Sequence, residues 1–328
     1  MSKEPIVREI DAVIAWVDGN DPKHKEKIQP YLSQQAGKSD DIAGPTRYRS
    51  EGEIFYCVSS IIRFAPFIRK IFIVTDEQNP HLEDFLQQNF PKDSIPVEIV
   101  DHKVIFRGYE EYLPVFNSRA VETCIHRIPG LSEKYVYFND DFFLVRPVNQ
   151  TDWFAGEKIV AYGYWRSLIL DRLLWLVKPV KNGHKPIGFK DGMICAARKL
   201  KYQWKYFHLD HIPHPVKKSV ITDFYSKNPD LFLSNISHKF RSGKQFNTYE
   251  IYYLLMLKAG EAIIKPSSQY LLYIKPVKRG DKYISRKLKV YDDNKILKFC
   301  CIGSIDMATE SDRMTLFNWL GKILKVSL

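Results

Sequence analysis

The segment YVYFNDDFFLV, residues 135–145, sets two adjacent acids directly behind a run of aromatic and β-branched residues. Such a run predicts a buried strand, because these side chains suit a pleated, packed surface. Asp140 and Asp141 then mark the end of the strand. Asn and Asp form turns readily, so a plain turn is one interpretation of NDD. A site for Mg²⁺ or Mn²⁺ is the other, since both cations prefer carboxylate oxygens.

Strand-like and helix-like segments alternate through the first half of the chain. Strands are predicted at 12–17, 70–75, 97–101 and 135–138. Helices are predicted within 53–67, ending near Pro66, and at 81–90 and 117–128. This alternation predicts an α/β fold, a Rossmann-like and mostly parallel sheet with helices on both faces. The second half is less regular, and its clearest helices are predicted at 248–259 and 312–326.

Three polar loops follow predicted strands, namely DGND (18–21), TDEQ (75–78) and NDD (139–141). Because parallel strands end at one edge of a sheet, and ligands bind beyond that edge, we expect the loops to converge on a site. A cation held there by the acids can bridge to an anionic substrate. The polar stretch SQQAGKSDDIAGP (33–45) is predicted to be an insertion between structured pieces.

The net charge of the chain indicates which ligands its surface attracts. The 328 residues carry 49 Lys and Arg against 38 Asp and Glu, a net charge of +11. Such a surface attracts nucleotides, sugar phosphates, nucleic acid or an anionic membrane face. A nucleic-acid-binding protein is not expected, because the basic residues are spread along the chain and no helix-turn-helix or RNP pattern appears.

Cysteine usage and the N-terminus bear on location. The five Cys are an odd number without a C-x-x-C pair, so we expect them to be reduced. The N-terminal segment lacks the apolar core of a signal peptide, and no apolar run approaches the ~18 residues of a membrane span. We therefore expect a cytoplasmic protein that makes, at most, peripheral contact with the inner face of the plasma membrane.

Two further motifs lie in the second half. HIPHP (211–215) holds His211 and His214 between prolines, without the i, i+4 spacing of a helical zinc site. A general base, a hydrogen bond to phosphate and a structural role are all compatible with this spacing. The segment KFRSGKQFN (239–247) groups Lys239, Arg241 and Lys244, which can clamp phosphate oxygens or form a solvated face.

Four groups of segments follow one another between residues 10 and 308. They are IDAVIAWVDGNDP (10–22); RYRSEGEIFYCVSSIIRFAPFIRKIFIVTDEQNP (47–80) with FNSRAVETCIHRIPGLSEKYVYFNDDFFL (116–144); HIPHPVKKSV (211–220) with FRSGKQFNTYEIYYLL (240–255); and KFCCIGSIDMA (298–308). In this order they resemble the conserved regions of the Stealth family of sugar-1-phosphate transferases. The resemblance implies one catalytic domain over residues 1–310, and the pattern of residues 311–328 separately predicts an amphipathic helix after it.

The resemblance also implies a reaction. A hexose 1-phosphate, or its N-acetylated counterpart, passes from a UDP-sugar to a glycan hydroxyl, forming a phosphodiester and releasing UMP in bacterial surface polysaccharide synthesis. It further implies Mg²⁺ or Mn²⁺ as cofactor and an acceptor carried on a lipid. The alternative is a conventional glycosyltransferase, which attacks the anomeric carbon of a UDP-sugar and releases UDP.

By matched position, the resemblance assigns roles to individual residues. Catalytic roles are implied for His214, or alternatively His211, and for Asp140, Asp141 and Arg241. Substrate binding is implied for Asp11, Trp16, Asp18, Arg47, Asn117 and His211. Metal binding is implied for Asp140, Asp141 and Asp306. The fourth region departs from the family, because GSID leaves only Asp306 where the family carries an acidic cluster.

The C-terminal segment SDRMTLFNWLGKILKVSL (311–328) predicts an amphipathic helix with Ser311 or Asp312 as N-cap. Its apolar stripe comprises Leu316, Phe317, Leu320, Ile323 and Leu324. Docking of this stripe on the core is one expectation. The other is contact with a membrane surface, which Trp319 and the flanking lysines suit.

Overall fold

The computed structural model describes residues 9–33, 49–91, 95–177, 188–277, 279–280 and 282–327. Residues 34–45 of the predicted insertion, and Arg47, lie outside these ranges. The strands are β1 (Ile10–Ala15), β2 (Ile68–Thr75), β3 (Val97–Asp101), β4 (Lys134–Asn139), β5 (Phe142–Leu144), β6 (Phe154–Ala155), β7 (Lys158–Ser167), β8 (Lys205–Leu209), β9 (His214–Lys217), β10 (Ala262–Lys265), β11 (Leu271–Ile274) and β12 (Phe299–Ile302).

The α-helices of the same residues follow in chain order. They are α1 (Pro22–Ser33), α2 (Glu53–Phe64), α3 (Glu83–Asn89), α4 (His102–Ile105), α5 (Ser118–Cys124), α6 (Leu168–Leu176), α7 (Phe189–Lys199), α8 (Lys218–Lys227), α9 (Pro229–Ile236), α10 (Thr248–Lys258), α11 (Tyr283–Asp293) and α12 (Glu310–Leu324). None of these helices is long and apolar enough to cross a membrane.

The central sheet has the strand order β3-β2-β1-β4-β9. Strands β1 to β4 run parallel, and β9 pairs antiparallel with β4 at the edge. Val13 and Ile14 of β1 are completely buried between their neighbours, as the apolar run predicted. The α/β, Rossmann-like fold with a mostly parallel sheet is therefore confirmed, and each predicted strand of the first half overlaps an observed one.

Helix α2 illustrates how the sequence forms this layer. Ile54, Cys57, Val58 and Ile61 recur at helical spacing, and all four are buried. The helix ends at Phe64, because Pro66 disfavours helical geometry in the residue before it. Glu53 opens the helix and is also buried.

Two smaller sheets complete the structure. One has the order β10-β7-β6, with β8 paired to β7, and the other has the order β11-β12-β5. In the second, β12 runs antiparallel to β5, so Cys301 lies opposite Phe142. This pairing brings residues 303–306, which follow β12, to the end of β4.

The C-terminal helix α12 docks on the core. Leu316, Leu320 and Leu324 are completely buried, and the Phe317 ring stacks on Tyr56 with 5.0 Å between ring centroids. The apolar stripe is therefore not available to a membrane surface. The N-cap is Thr309, not Ser311 or Asp312, because the Thr309 hydroxyl accepts a hydrogen bond from the Asp312 N–H at 3.1 Å.

Candidate active site

A cavity of about 560 Å³ lies at the carboxyl edge of the central sheet. Residues at or after the ends of β1, β2 and β4 line it, as expected for a Rossmann-like sheet. Its polar lining comprises the acids Glu53, Asp76, Asp140, Asp141 and Asp306, the cations Arg49, Arg241 and Lys275, and also Trp16, His24, His102, Asn117, Ser118, Asn139 and Ser304. The predicted convergence of polar loops is therefore present for the loops after β2 and β4, whereas β1 contributes Trp16 and Val17 rather than DGND.

The adjacent acids Asp140 and Asp141 follow β4 directly. Burial, together with the neighbouring carboxyls of Glu53 and Asp141, raises the pKa of Asp140 well above its ordinary value. Burial also raises the pKa of Asp141 to about 6, although a contact with the Cys301 thiol at 3.5 Å opposes the rise. Negative charge is therefore costly at this end of the cavity, and a bound cation would relieve that cost.

Asp306 reaches the same cavity from the loop after β12. Burial raises the pKa of Asp306, and the positive charge of Arg49 partly offsets the rise. The buried Oδ2 atom of Asp306 has no hydrogen-bond partner among the described residues. A buried carboxylate oxygen without a partner is unfavourable, so this atom suits a ligand that brings positive charge.

The donor atoms fit a divalent cation of a particular kind. Among the described residues, no three His, Cys, Asp or Glu side chains form a group able to hold a metal ion by themselves. Mg²⁺ commonly binds through one or two carboxylates and completes its shell with water and substrate phosphates. Asp140 and Asp141 offer two such carboxylates in one cavity, so they fit a cation that arrives with a phosphate-bearing substrate.

Arg241 lines the cavity together with Asn117 and Ser118. Its guanidinium lies 3.4 Å from the Ser118 hydroxyl. Asn117 caps α5, because its Oδ1 accepts from the Ala120 N–H at 3.0 Å while its Nδ2 donates to the His238 carbonyl at 2.6 Å. The cap therefore ties α5 to the segment that carries Arg241.

Three further residues predicted to bind substrate, in and directly after β1, are separated in space. Trp16 lines the cavity, and its indole N–H lies 3.4 Å from the Ser50 hydroxyl. Asp11 lies near the other end of β1, where it is fully buried and accepts two hydrogen bonds from Arg69 and one from the Ser132 N–H. Asp18 accepts from the Asn20 N–H at 2.8 Å in the loop after β1, and it does not line the cavity.

The two histidines of HIPHP occupy different environments. His214 pairs with Tyr137 in the central sheet, is only 3% exposed and is surrounded by the rings of Tyr137, Tyr249 and Tyr253. Burial lowers the pKa of His214 to about 3. This histidine therefore belongs to the aromatic core.

His211 is only half-buried and lies between the rings of Phe189 and Tyr273, at centroid distances of 5.0 and 5.4 Å. Burial lowers the pKa of His211, and the negative charge of Asp210 opposes this. Lys275 and Arg241 also lower it, which indicates that His211 lies within electrostatic reach of these two cavity residues. Neither histidine lines the cavity itself.

Sequence analysis did not identify Glu53 and Lys275 as site residues. A signal for Glu53 exists, because it is spaced by four residues from Cys57 and therefore falls on the buried face of α2. Lys275 directly follows β11, but β11 is not among the strands predicted from the sequence. Arg49 carried no signal beyond its charge.

Two conserved regions of a known family match the first half of this chain, and individual known proteins match it along most of its length. Residues 8–36 match Stealth protein CR1, conserved region 1, and residues 47–162 match Stealth protein CR2, conserved region 2. The capsular polysaccharide phosphotransferase WcwK of Streptococcus pneumoniae is 30% identical over 281 residues, 79% of this chain and 82% of that protein. The receptor polysaccharide phosphotransferase WefC of Streptococcus gordonii is 30% identical over 282 residues, 80% of this chain and 82% of that protein.

A third relative covers more of this chain. The capsular polysaccharide phosphotransferase fcs1 of Haemophilus influenzae is 29% identical over 302 residues, 89% of this chain and 77% of that protein. Among solved structures, the galactosyltransferase LgtC in complex with donor and acceptor sugar analogs has a TM-score of 0.45 at 9% identity, with 97% of this chain and 96% of that chain covered. Conserved regions 1 and 2, together with relatives at 30% identity over most of their length, establish that this chain belongs to the Stealth family of transferases.

Proposed function

We propose that this chain transfers a hexose 1-phosphate, or its N-acetylated counterpart, from a UDP-sugar to a hydroxyl of a glycan acceptor. The reaction forms a phosphodiester and releases UMP, in bacterial surface polysaccharide synthesis. The observation that carries the proposal is the cavity at the carboxyl edge of the sheet, which gathers Asp140, Asp141 and Asp306 with Arg241 and Lys275. Carboxylates that can hold a cation, together with positively charged side chains that can bind phosphate, suit a nucleoside diphosphate sugar.

Asp140 and Asp141, with Asp306 lining the same cavity, would hold Mg²⁺ or Mn²⁺. When bound, the cation supplies positive charge beside the diphosphate and the departing UMP. The protein's own contribution is to keep these carboxylates in a half-buried pocket, where their electrostatic interactions are stronger than in water. The raised pKa values of Asp140 and Asp141 support this role, because a nearby positive charge favours their ionised forms.

Arg241 is the residue that we assign to the transferred phosphoryl group. Its planar guanidinium can donate two parallel hydrogen bonds to phosphate oxygens, which a lysine cannot do. Charge builds on these oxygens when the acceptor attacks, so a positioned cation lowers the barrier. Trp16 and Asn117 border the donor in this proposal, whereas Arg47 and Asp18 stay sequence-based predictions of donor contacts.

We assign the general base to His211 rather than His214. A base with a pKa of about 3 is too weak to accept a hydroxyl proton effectively near neutral pH, and His214 is enclosed by aromatic rings. His211 is half-buried and lies within electrostatic reach of Arg241. The His211 ring stacks on the Tyr273 ring. The Tyr273 hydroxyl in turn lies close to Gly303, because a Cβ added there would be 3.2 Å from it. Gly303 directly precedes the cavity residue Ser304.

The acceptor is proposed to be a glycan carried on a membrane lipid. The reaction then takes place in the cytoplasm at the inner face of the plasma membrane, where the chain makes peripheral contact. The net charge of +11 supports this location, because anionic lipid attracts basic proteins.

The nucleotide product tests the proposal. The protein is incubated with a divalent cation, a lipid-linked oligosaccharide and either UDP-GlcNAc or UDP-Gal, and the nucleotides are separated by ion exchange. Acceptor-dependent release of UMP, lost in Asp140→Asn and retained in the exposed control Asp223→Asn, supports it. Release of UDP would instead identify a conventional glycosyltransferase.

A further inference from the structure

Helix α6 exposes five large apolar side chains to solvent. Ile169, Leu170, Leu173, Leu174 and Leu176 are each between 48% and 60% exposed. A surface helix of a globular protein normally directs such residues into the core. A contiguous exposed apolar surface of this kind marks an interaction site.

The orientation of α6 is fixed by a buried acid. Asp171 is 3% exposed, and its carboxylate accepts hydrogen bonds from the Arg166 guanidinium at 3.0 and 3.2 Å and from the Tyr206 hydroxyl at 2.7 Å. The Lys190 ammonium also donates to it. Because a buried carboxylate is costly to leave without its partners, this network holds the polar side of α6 inward and the apolar side outward.

A basic turn borders the helix. The Leu168 N–H donates to the Trp204 carbonyl at 2.9 Å, so Trp204, near the end of the basic segment 198–205, lies beside the start of α6. This turn contains Arg198, Lys199, Lys201 and Lys205, all exposed, and no acid. Trp204 itself is 68% exposed. We call the exposed side of α6, together with residues 198–205, the α6 face.

We propose that the α6 face docks on an anionic lipid surface. Leucines and isoleucines suit the boundary between headgroups and acyl chains, tryptophan suits the headgroup level, and lysines and arginines bind lipid phosphates. The complementary charge favours this occupant, because residues 198–205 carry four basic side chains and no acid, and the whole chain carries +11. The exposed apolar side chains lie along α6, whose nine residues extend about 14 Å, so the helix would lie with this side in the plane of the interface.

The inward side of α6 is connected to the proposed base. Lys190, which donates to Asp171, follows Phe189 directly in the chain, and the Phe189 ring lies 5.0 Å from the His211 ring. These contacts connect the inward side of α6 to His211, so docking of the α6 face would hold the elements around His211 near a membrane that carries the acceptor. In this respect the inference deepens the proposed function and rests on it, but binding of the face to lipid requires neither donor nor acceptor.

Vesicle binding of the full chain tests the inference. The protein is sedimented at low salt with vesicles of phosphatidylcholine and phosphatidylglycerol, and with vesicles of phosphatidylcholine alone. The test variant is Leu173→Gln/Leu174→Gln, which leaves the charge unchanged. The matched control is Val290→Gln/Ile296→Gln, because these side chains are 49% and 57% exposed on another surface.

We expect the wild type and the control to bind the anionic vesicles, and the α6 variant to bind at least about tenfold more weakly. Lys205→Gln should weaken binding about fivefold at low salt and have less effect at high salt. Three results would overturn the inference: no binding of the wild type, equal binding of the α6 variant, or self-association of the wild type that the α6 variant abolishes. UMP release is measured separately, so failure of vesicle binding is distinguishable from failure of the proposed reaction.

Discussion

Glu53→Gln is expected to make the protein more stable at alkaline pH. Glu53 is 6% exposed, lines the cavity beside Asp140 and Asp141, and accepts a hydrogen bond from the Glu51 N–H at 2.6 Å. Burial, with a smaller contribution from the charge of Asp141, raises the pKa of Glu53 from 4.5 to about 7. The folded protein therefore binds the proton of this carboxyl more tightly than the unfolded chain does.

The sign and size of the effect follow from that difference in pKa. A carboxyl with a raised folded-state pKa favours folding below its unfolded value, and this contribution is lost as pH rises through the folded value. The difference is 7 − 4.5 = 2.5. At about 1.4 kcal/mol for each pKa unit, ionised Glu53 costs on the order of 3 kcal/mol above pH ~7. The glutamine amide in the variant cannot ionise, yet its oxygen can still accept from the Glu51 N–H.

Urea unfolding in EDTA, at pH 8 and at pH 5, measures this effect. We expect Glu53→Gln to exceed the wild type by about 3 kcal/mol at pH 8 and by less than about 1 kcal/mol at pH 5. The control Glu111→Gln, at an exposed position, should change the free energy of unfolding by no more than about 0.5 kcal/mol at either pH. A less stable variant at pH 8, or an equal gain at both pH values, would show that Glu53 is not a strained buried acid.

Further predictions concern the acids, the histidines and the C-terminal helix. Asp140→Asn should remove cation-dependent turnover without unfolding the protein, because a neutral amide binds Mg²⁺ poorly; undiminished turnover of the variant, or full wild-type turnover in EDTA, contradicts this. His211→Gln should lower kcat about 10²- to 10⁴-fold and change its pH profile, whereas His214→Gln should chiefly lower the free energy of unfolding in urea. A large loss of kcat in His214→Gln, with His211→Gln affecting only stability, refutes His211 as the base. Leu320→Ala should cost about 2–5 kcal/mol of unfolding free energy, and an unchanged value means that α12 is not docked.

Local sequence patterns predicted much of the fold. β3 was predicted at 97–101, which is where it lies, because an apolar strand between turn residues is legible within a few residues. Helix α2 was predicted to begin at residue 53 and to stop near Pro66, and it runs from Glu53 to Phe64. The acids Asp140 and Asp141 could be placed at the sheet edge for the same reason, since they directly follow a strand.

Contacts between residues far apart in the sequence determine the parts of the site that local patterns did not predict. Asp306 enters the cavity because β12 pairs with β5, more than 150 residues earlier in the chain. His214 is enclosed by Tyr249 and Tyr253 of α10, so its burial depends on how that helix packs against the sheet. Asp11 was matched to the donor, yet its partner Arg69 lies 58 residues away, on β2. None of these contacts can be predicted from the spacing of residues that are neighbours in the sequence.

The fate of the donor's β-phosphorus tests the proposed reaction most directly. A UDP-sugar labelled with ³²P at the β-position is incubated with the protein, a divalent cation and a glycan acceptor, and the glycan is separated from the nucleotides. Transfer of a sugar 1-phosphate breaks the bond between the two phosphates, so the label should appear in the glycan and the nucleotide product should be unlabelled UMP. Label retained in UDP, with unlabelled sugar on the glycan, would contradict phosphoryl transfer in this cavity.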